Sequence, residues 1–208
     1  MAWWSLLDGS GSFDWVSLTR VGGRTRSLDA SQGAIPEIGT QVRRFPRLTG
    51  VDGTASSDEL FGGPGITVVA FLSTGCPAVK ACLGELVSLY RRYQPRGVRI
   101  VGVNSNNPYL SPTDSLAEMA RWAAQVSLPF PYLKDPEQEL ARALGATNTP
   151  QFVVLDSDRR IRYRGRMFDS REPTRATSRD LEVAVVALLE GHAVLVSSTA
   201  ALGCSIVP

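Results

Sequence analysis

The sequence predicts an α/β domain in which helices flank a central mixed β-sheet. Two continuous apolar runs, ITVVAFL at 66–72 and VRIVGVN at 98–104, are typical of strands that are buried on both faces. PFPYL (129–133) is a short extended piece, and QFVVLD and IRYRGR predict an antiparallel hairpin around Ser157-Asp158. Helical patterns alternate with these strands, which favours one sheet with helices on both faces.

The N-terminal part is harder to assign. Residues 1–38 are rich in Gly, Ser and Trp and show no sustained periodicity, so they stay unassigned. In VRRFPRLTGVDGTA (42–55) the sequence alternates around Phe45 and Leu48, and Asp52-Gly53 is a hairpin-type turn. These features predict an N-terminal β-hairpin. SSDELFGG (56–63) then predicts one helical turn that glycine ends.

Four helices are predicted between and after the strands. The first follows Cys76, where apolar residues recur at steps of three and four as far as Tyr93. The second begins at 111–114 with a capping serine, a proline in the first turn and an acid near the N-terminal dipole. DPEQELARALG (135–145) and TSRDLEVAVVALLEG (177–191) predict the last two helices.

Composition and length limit the possible functions. The chain of 208 residues is long enough for one domain, which we place at 39–192, with an N-terminal extension at 1–38 and a tail at 193–208 that carries Cys204. A net charge of +2 predicts no nucleic-acid partner, and no apolar run reaches the roughly 18 residues that cross a membrane. The first residues lack the pattern of a secretory signal, so we expect a cytoplasmic protein. Oligomeric state is not predicted.

The chain has three cysteines, Cys76, Cys82 and Cys204. Three are too few for a disulfide-rich secreted scaffold, and they lack the paired short spacings of a zinc site. The carboxylates show no metal-ligand pattern either, so neither a metal nor a cofactor is expected. An odd number of cysteines fits redox chemistry or simple burial.

Cys76 is the candidate nucleophile. It lies where a buried strand ends and a helix begins, and free N–H groups and the helix dipole favour a thiolate there. Lys80 follows one turn later and adds a positive charge. The alternative is that Cys76 only fills space in the core. The polar neighbours Ser73 and Thr74 are untypical of a core and favour the reactive thiol.

Two segments carry a resemblance to a known fold. VVAFLSTGCPAVKACLGELVSLY (68–90) is similar to the active-site strand and helix of the thioredoxin superfamily, in particular its redoxin and peroxiredoxin-like branch. GATNTPQFVVLDSDRRIRYRGR (145–166) resembles the Thr–cis-Pro segment and the hairpin that follows it. The resemblance implies a thioredoxin fold over about residues 42–190, with Thr149 and Pro150 beside Cys76.

A narrower resemblance is to thioredoxin-like members of the alkyl hydroperoxide reductase/thiol-specific antioxidant grouping. It rests on CPAVK (76–80), NSN (104–106) and GCSI (203–206). It implies an antioxidant thiol oxidoreductase in which the Cys76 thiolate attacks a peroxide or a disulfide. Cys204 would resolve the product, and an external thiol such as a thioredoxin would restore the enzyme. Ser73 would hydrogen-bond the thiolate, and Thr149 and Pro150 would shape the substrate groove.

Two departures from these families leave the reaction open. Val79 occupies the place of the second cysteine in Cys-x-x-Cys, so dithiol exchange within the motif is impossible. Typical peroxiredoxins also carry an arginine near the position of Pro150, so peroxidase activity is expected to be modest. The alternatives are a thiol–disulfide reductase without peroxidase activity and a non-catalytic binding module that uses the Pro150 groove.

The resolving thiol also has two candidates. Cys82 lies six residues after Cys76, about 9 Å along the same helix, which an intact helix cannot bridge. It borders the apolar stripe, so core packing is the favoured reading. Cys204 lies in a flexible-looking tail between Gly203 and Ser205, which suits either a mobile resolving thiol or an incidental cysteine in a disordered end. Only the resemblance favours the resolving role.

Overall fold

The computed structural model describes residues 34–54 and 60–208. The strands in these ranges are β1 Thr49–Gly50, β2 Ile66–Phe71, β3 Val98–Asn104, β4 Tyr132–Lys134, β5 Asn148–Thr149, β6 Gln151–Leu155, β7 Ile161–Gly165 and β8 Cys204–Ser205. The α-helices are α1 Pro77–Tyr93, α2 Leu116–Gln125, α3 Glu139–Leu144 and α4 Asp180–Leu189. Short 3₁₀ helices occupy Gln94–Arg96, Pro112–Asp114 and Pro173–Arg175.

Six of these strands form one mixed sheet in the order β1-β4-β3-β2-β6-β7. The central strand β2 pairs in parallel with β3 and antiparallel with β6, so that Val68 lies between Ile100 and Val154. β6 and β7 form the predicted closing hairpin. The two buried strands predicted from continuous apolar sequence are therefore confirmed, and they form the centre of the sheet.

Helices cover both faces of the sheet, as predicted. Val68 and Ala70 of β2 belong to a core cluster with the buried sides of α1, α2 and α4. Val69 and Phe71 belong to a second cluster with α3. Successive side chains of a strand point to opposite faces, so an uninterrupted apolar strand supplies both cores.

The N-terminal β-hairpin is not found in the described residues. β1 is only two residues long, and Gly50 pairs antiparallel with Leu133 of β4 instead of with a neighbouring strand. The turn itself is present, because the Gly50 N–H donates to the Thr54 carbonyl and the Asp52 carboxylate accepts from Thr54. The hairpin prediction was wrong because the strand before the turn pairs with β4 at the edge of the sheet, and not with the segment that follows the turn. The helical turn predicted at 56–63 falls largely on residues 55–59, outside the described residues.

The predicted start of the second helix is also corrected. A 3₁₀ turn takes up Pro112–Asp114, and α2 begins at Leu116 with Ser115 as its N-cap, where the Ser115 hydroxyl accepts from the N–H of Glu118. Asp114 is completely buried. Its carboxylate is used inside the molecule, as described below.

The C-terminal tail is part of the fold. Residues 33–208 form one compact unit. The tail runs beside β7, where the Arg164 N–H donates to the Ser197 carbonyl and the Arg164 carbonyl accepts from Thr199. It ends in β8, which pairs with β5. No helix in the described ranges is long and apolar enough to cross a membrane.

Candidate active site

Cys76 lies at the start of α1, in the position the sequence predicts. It is the N-cap residue in an extended conformation, and Pro77 opens the helix where a missing N–H costs no hydrogen bond. Its Sγ lies 3.1 Å from the carbonyl oxygen of Thr149, and the Thr149-Pro150 peptide bond is cis. Cys76 is 3% exposed, so its sulfur is covered by neighbouring segments.

Cys204 is the residue that covers it. β8 pairs antiparallel with β5 so that Cys204 lies opposite Thr149. This register brings the Sγ atoms of Cys76 and Cys204 within 2.7 Å of each other. Gly203 permits the approach, because a Cβ atom there would lie 2.1 Å from the Thr149 carbonyl oxygen. The tail therefore places a second thiol beside the candidate nucleophile.

The tail that carries Cys204 is held in place, which corrects the flexible tail of the sequence analysis. The N–H of Ile206 donates to the Thr147 carbonyl. The Val207 N–H donates to Asn106 Oδ1, and its carbonyl accepts from the N–H of Asn107 and from Gln138 Nε2. Local sequence around Gly203 suggested mobility, but these contacts come from distant segments. Cys204 does not need to travel to reach Cys76.

The two thiols have pKa values shifted in opposite directions. Burial raises the pKa of Cys76, but hydrogen bonds from Cys204, the Val79 N–H and Thr149 outweigh it and lower the pKa overall. Burial and the neighbouring Cys76 raise the pKa of Cys204 to about 11, against a smaller opposing effect of Arg171. The two shifts mean that Cys76 ionises before Cys204.

Thr149 contributes a hydroxyl as well as the carbonyl. Its Oγ1 is buried and makes no hydrogen bond of standard geometry to any described residue. It nevertheless helps to lower the pKa of Cys76. A buried hydroxyl without a fixed partner is free to donate to the thiolate when the thiol loses its proton. Thr149, and not Ser73, is therefore among the residues that lower the pKa of Cys76.

Ser73 does not bond the Cys76 sulfur in this structure. Its Oγ donates to the carboxylate of Asp114, with oxygen distances of 2.9 and 3.1 Å. A hydroxyl can donate only one hydrogen bond at a time, and the Ser73 hydroxyl donates it to Asp114. The sequence could not show this because Asp114 lies 41 residues away along the chain.

Asp114 is the residue that the sequence reasoning missed. Its buried carboxylate accepts hydrogen bonds from five residues, which together with it form what we call the Asp114 cluster: Ser73, Thr74, Asn104, Asn106 and Ser111. Burial alone would raise the pKa of Asp114, but these donors lower it to about 2. The signal in the sequence was a run of small polar residues after β3 and before α2, at the same sheet edge as Ser73.

Lys134 donates hydrogen bonds to two residues of the Asp114 cluster. Its Nζ donates to Asn104 Oδ1 at 3.0 Å and to the Asn106 carbonyl at 2.5 Å. Burial lowers the pKa of Lys134 to about 8, although Asp114 and Asp135 favour its charged form. At neutral pH the ammonium therefore offsets the buried charge of Asp114.

The two secondary candidates lie outside the reacting pair. Cys82 is buried in the core of α1, its Sγ is 3.5 Å from the Val79 carbonyl, and burial raises its pKa to about 12. This environment is that of a packing residue. Lys80 is exposed, and its side chain makes no hydrogen bond or ion pair within the described chain. Its charge is not among the causes that shift the pKa of Cys76.

A metal site is absent from the part of the chain that the structure describes. No group of three or more His, Cys, Asp or Glu side chains converges there. The chemistry that the described residues offer is that of the two thiols.

The sequence and the structure are similar to known proteins. The model of the AhpC/TSA family matches residues 38–164. An uncharacterized conserved protein from Geobacillus kaustophilus is 38% identical, with a TM-score of 0.76 over 83% of this chain and 92% of that one. A hypothetical protein from Sinorhizobium meliloti 1021 is 31% identical, with a TM-score of 0.74 over 83% and 95%. Among curated proteins none matches significantly.

A more distant structure shows the fold alone. A secreted disulfide oxidoreductase from Mycobacterium tuberculosis is 20% identical, with a TM-score of 0.52 over 68% of this chain and 95% of that one. The shared architecture is the thioredoxin-like one of a mixed central sheet flanked by helices.

Proposed function

Because this chain belongs to the AhpC/TSA family of thioredoxin-like thiol oxidoreductases, we propose that it is a two-cysteine peroxidase of modest rate. In this proposal Cys76 is the nucleophile and Cys204 is the resolving thiol. The observation that supports it most is the distance of 2.7 Å between the two sulfur atoms at the start of α1.

The first step is oxidation of Cys76. Its thiolate attacks one oxygen of a peroxide ROOH, which forms a sulfenic acid and releases RO⁻, and solvent protonates this to ROH. The lowered pKa of Cys76 increases the fraction of thiolate that is available for this attack. The Thr149 hydroxyl and the first turn of α1 are the neighbouring donors for developing negative charge.

The second step is resolution by Cys204. Its sulfur attacks the sulfenic sulfur of Cys76, water leaves, and a disulfide forms. The hydrogen bond and the charge of the Cys76 thiolate are two of the causes that raise the pKa of Cys204. Both disappear once Cys76 is a neutral sulfenic acid. Oxidation of Cys76 therefore makes Cys204 easier to ionise at the moment when it must attack.

The rate is expected to be modest because few groups stabilise the transition state. Ser73 is bonded to Asp114, and no arginine is among the residues that shift the pKa of Cys76. An aligned donor to the developing charge commonly contributes about 100-fold in rate. The same observation favours a second candidate function, in which Cys76 attacks a protein disulfide instead of a peroxide.

The test is rapid-mixing kinetics of the reduced protein with hydrogen peroxide and with an organic hydroperoxide. Turnover is expected to disappear in Cys76→Ser. Cys204→Ser is expected to accumulate one sulfenic acid per chain without forming a disulfide. Cys82→Ala is the matched control, a buried cysteine of the same helix, and should keep its turnover.

Three results decide between the functions. Oxidation of Cys76 by peroxide, followed by a Cys76–Cys204 disulfide, supports the peroxidase. A Cys76 that ignores peroxides but exchanges with protein disulfides supports the reductase. A Cys76 with an ordinary thiol pKa near 8.5 and slow alkylation supports the non-catalytic binding module and overturns both.

A further inference from the structure

A cleft of about 310 Å³ opens beside Cys204. Its described lining residues are Pro77, Ala78, Ala81, Arg171, Gly203 and Cys204. Its lining is mainly apolar and comes from the first turns of α1, from the tail and, through Arg171, from the segment between β7 and α4. Arg171 is the single charged residue in that lining.

We propose that this cleft admits a small thiol with a carboxylate group, that Arg171 binds the carboxylate, and that the thiol attacks Cys204 in the oxidised Cys76–Cys204 pair. The inference rests on the proposed function, because it requires that pair to form a disulfide. It names the class of reductant and the sulfur at which the reductant acts.

Accessibility selects Cys204 as the point of attack. Cys76 is 3% exposed and is not among the residues that line the cleft. Cys204 is an exposed residue and does line it. An attacking thiolate must reach a sulfur along the line of the S–S bond, and the cleft gives it access to Cys204.

The pKa order of the two cysteines favours the same direction. A thiolate of low pKa is the better leaving group in thiol–disulfide exchange. In the mixed disulfide Cys204 cannot donate to Cys76, but the Val79 N–H and the Thr149 hydroxyl still lower the pKa of Cys76, whereas burial still raises that of Cys204. Attack at Cys204 expels Cys76 as the thiolate, and Cys76 is then ready for the next oxidant.

Arg171 has no ion-pair partner in the described ranges, unlike two arginines near it in the sequence. Arg166 is paired with Asp180, and Arg175 with Glu172. Arg171 is exposed and makes no hydrogen bond or ion pair with any residue in the described ranges. Its charge already acts on Cys204. A guanidinium binds a carboxylate with two parallel hydrogen bonds, so the free arginine fits a carboxylate-bearing ligand.

The chemistry balances without any further reactant. One thiolate RS⁻ forms a bond to Cys204 Sγ as the Cys76–Cys204 bond breaks, and Cys76 leaves as a thiolate. A second RS⁻ attacks the RS–Cys204 disulfide, which releases RSSR and the Cys204 thiolate, and water supplies its proton. Two small thiols are oxidised and one protein disulfide is reduced.

The experiment measures reduction of the diamide-oxidised protein by three small thiols. These are 3-mercaptopropionate, which is anionic, 2-mercaptoethanol, which is neutral, and cysteamine, which is cationic. Rates are corrected for thiolate fraction and for the intrinsic nucleophilicity of each thiol. The anionic thiol is expected to react about fivefold faster than the neutral one at low salt, and the difference should shrink as salt increases.

Variants assign that preference to Arg171. Arg171→Gln should abolish it, and Arg171→Glu should reverse it in favour of cysteamine. Arg175→Gln is the matched control, an exposed arginine four residues away, and should leave the preference unchanged. The inference is overturned if the wild-type protein shows no charge preference. It is also overturned if Arg171→Glu keeps the preference of the wild type for the anionic thiol.

A trapping experiment locates the attacked sulfur. Excess iodoacetamide is added during reduction by 3-mercaptopropionate, and peptide mass mapping locates the two adducts. The expected product carries the mercaptopropionate on Cys204 and the acetamide on Cys76. The opposite assignment refutes the inference, as does reduction by a protein dithiol alone with no reaction of any small thiol. If diamide fails to link Cys76 to Cys204, the proposed function fails as well, so the two failures are distinguishable.

Discussion

The Asp114 cluster and the Cys76–Cys204 pair lie next to each other but are built on opposite principles. In the cluster, a completely buried carboxylate is hydrogen-bonded by Ser73, Thr74, Asn104, Asn106 and Ser111. At the pair, Cys204 is exposed and the Thr149 hydroxyl has no partner of standard geometry among the described residues. A satisfied buried network favours one rigid geometry, whereas unsatisfied groups are available for reaction.

The two regions are connected through the backbone. Thr74 donates to Asp114 only two residues before Cys76. Asn106 donates to Asp114 and accepts from the N–H of Val207, three residues after Cys204. The cluster therefore holds the segments that carry both thiols. The cluster thus serves stability and positioning, whereas the pair carries the proposed chemistry, and four predictions test that division.

The largest effect is expected from Asp114→Ala. It leaves several buried donors without an acceptor and removes one of the two carboxylates that favour the charged form of Lys134, so the free energy of unfolding should fall by about 3 kcal/mol or more. Denaturant unfolding measures it. Glu137→Ala, which removes an exposed carboxylate, is the control and should change stability by less than about 0.5 kcal/mol. Equal effects of the two substitutions would contradict the role of the cluster.

Acid should weaken the cluster specifically. The pKa of Asp114 is lowered from 3.8 to about 2, so its carboxylate stabilises the fold above pH 4 and loses that contribution as pH falls toward 2. The expected loss is about 2 kcal/mol. Unfolding curves of the wild type and of Asp114→Asn between pH 5 and pH 2 should converge, because the amide does not titrate. Parallel curves would show that Asp114 is not the titrating group.

Gly203→Ala should separate the two thiols without touching the cluster. The added Cβ would lie 2.1 Å from the Thr149 carbonyl oxygen, so β8 must move away from β5. The equilibrium constant for the Cys76–Cys204 disulfide in a glutathione buffer should fall by about tenfold, because proximity supplies the effective concentration of the second thiol. Gly84→Ala is the control, since nothing lies within 4 Å of its added Cβ. An unchanged equilibrium would mean that the tail register does not matter.

The smallest effect on stability is expected from Thr149→Val. The hydroxyl has no partner of standard geometry in the described chain, so its loss should change the free energy of unfolding by less than about 1 kcal/mol. The pKa of Cys76 should nevertheless rise, because Thr149 lowers it in the native protein. The pH dependence of Cys76 alkylation measures the shift, with Thr147→Val as the control. A large loss of stability with no change in pKa would make Thr149 a structural residue.

The sequence was sufficient for features that follow from local patterns. The apolar runs at 66–72 and 98–104 predicted β2 and β3, and steps of three and four predicted α1 with Cys76 at its start. The sequence led to wrong predictions where residues far apart along the chain contact each other in the fold. Asp52-Gly53 does form a turn, but the preceding strand pairs with β4. The sequence predicts Asp114 as an acid at the start of a helix. It cannot show the donors that surround the carboxylate, because these come from other segments.

The scaffold therefore follows from the sequence alone, because the periodicity of apolar residues reports directly on which side of an element is buried. The position of Cys76 follows from it too, because a strand end followed by Cys-Pro specifies a helix start. Which groups act on that thiol depends instead on how distant segments fold together. Cys204 lies 128 residues from Cys76, and both Ser73 and Thr149 took their roles from contacts across the fold. Polar side chains carry no periodic signal for their partners, since hydrogen bonds depend on distances that exist only after the chain has folded.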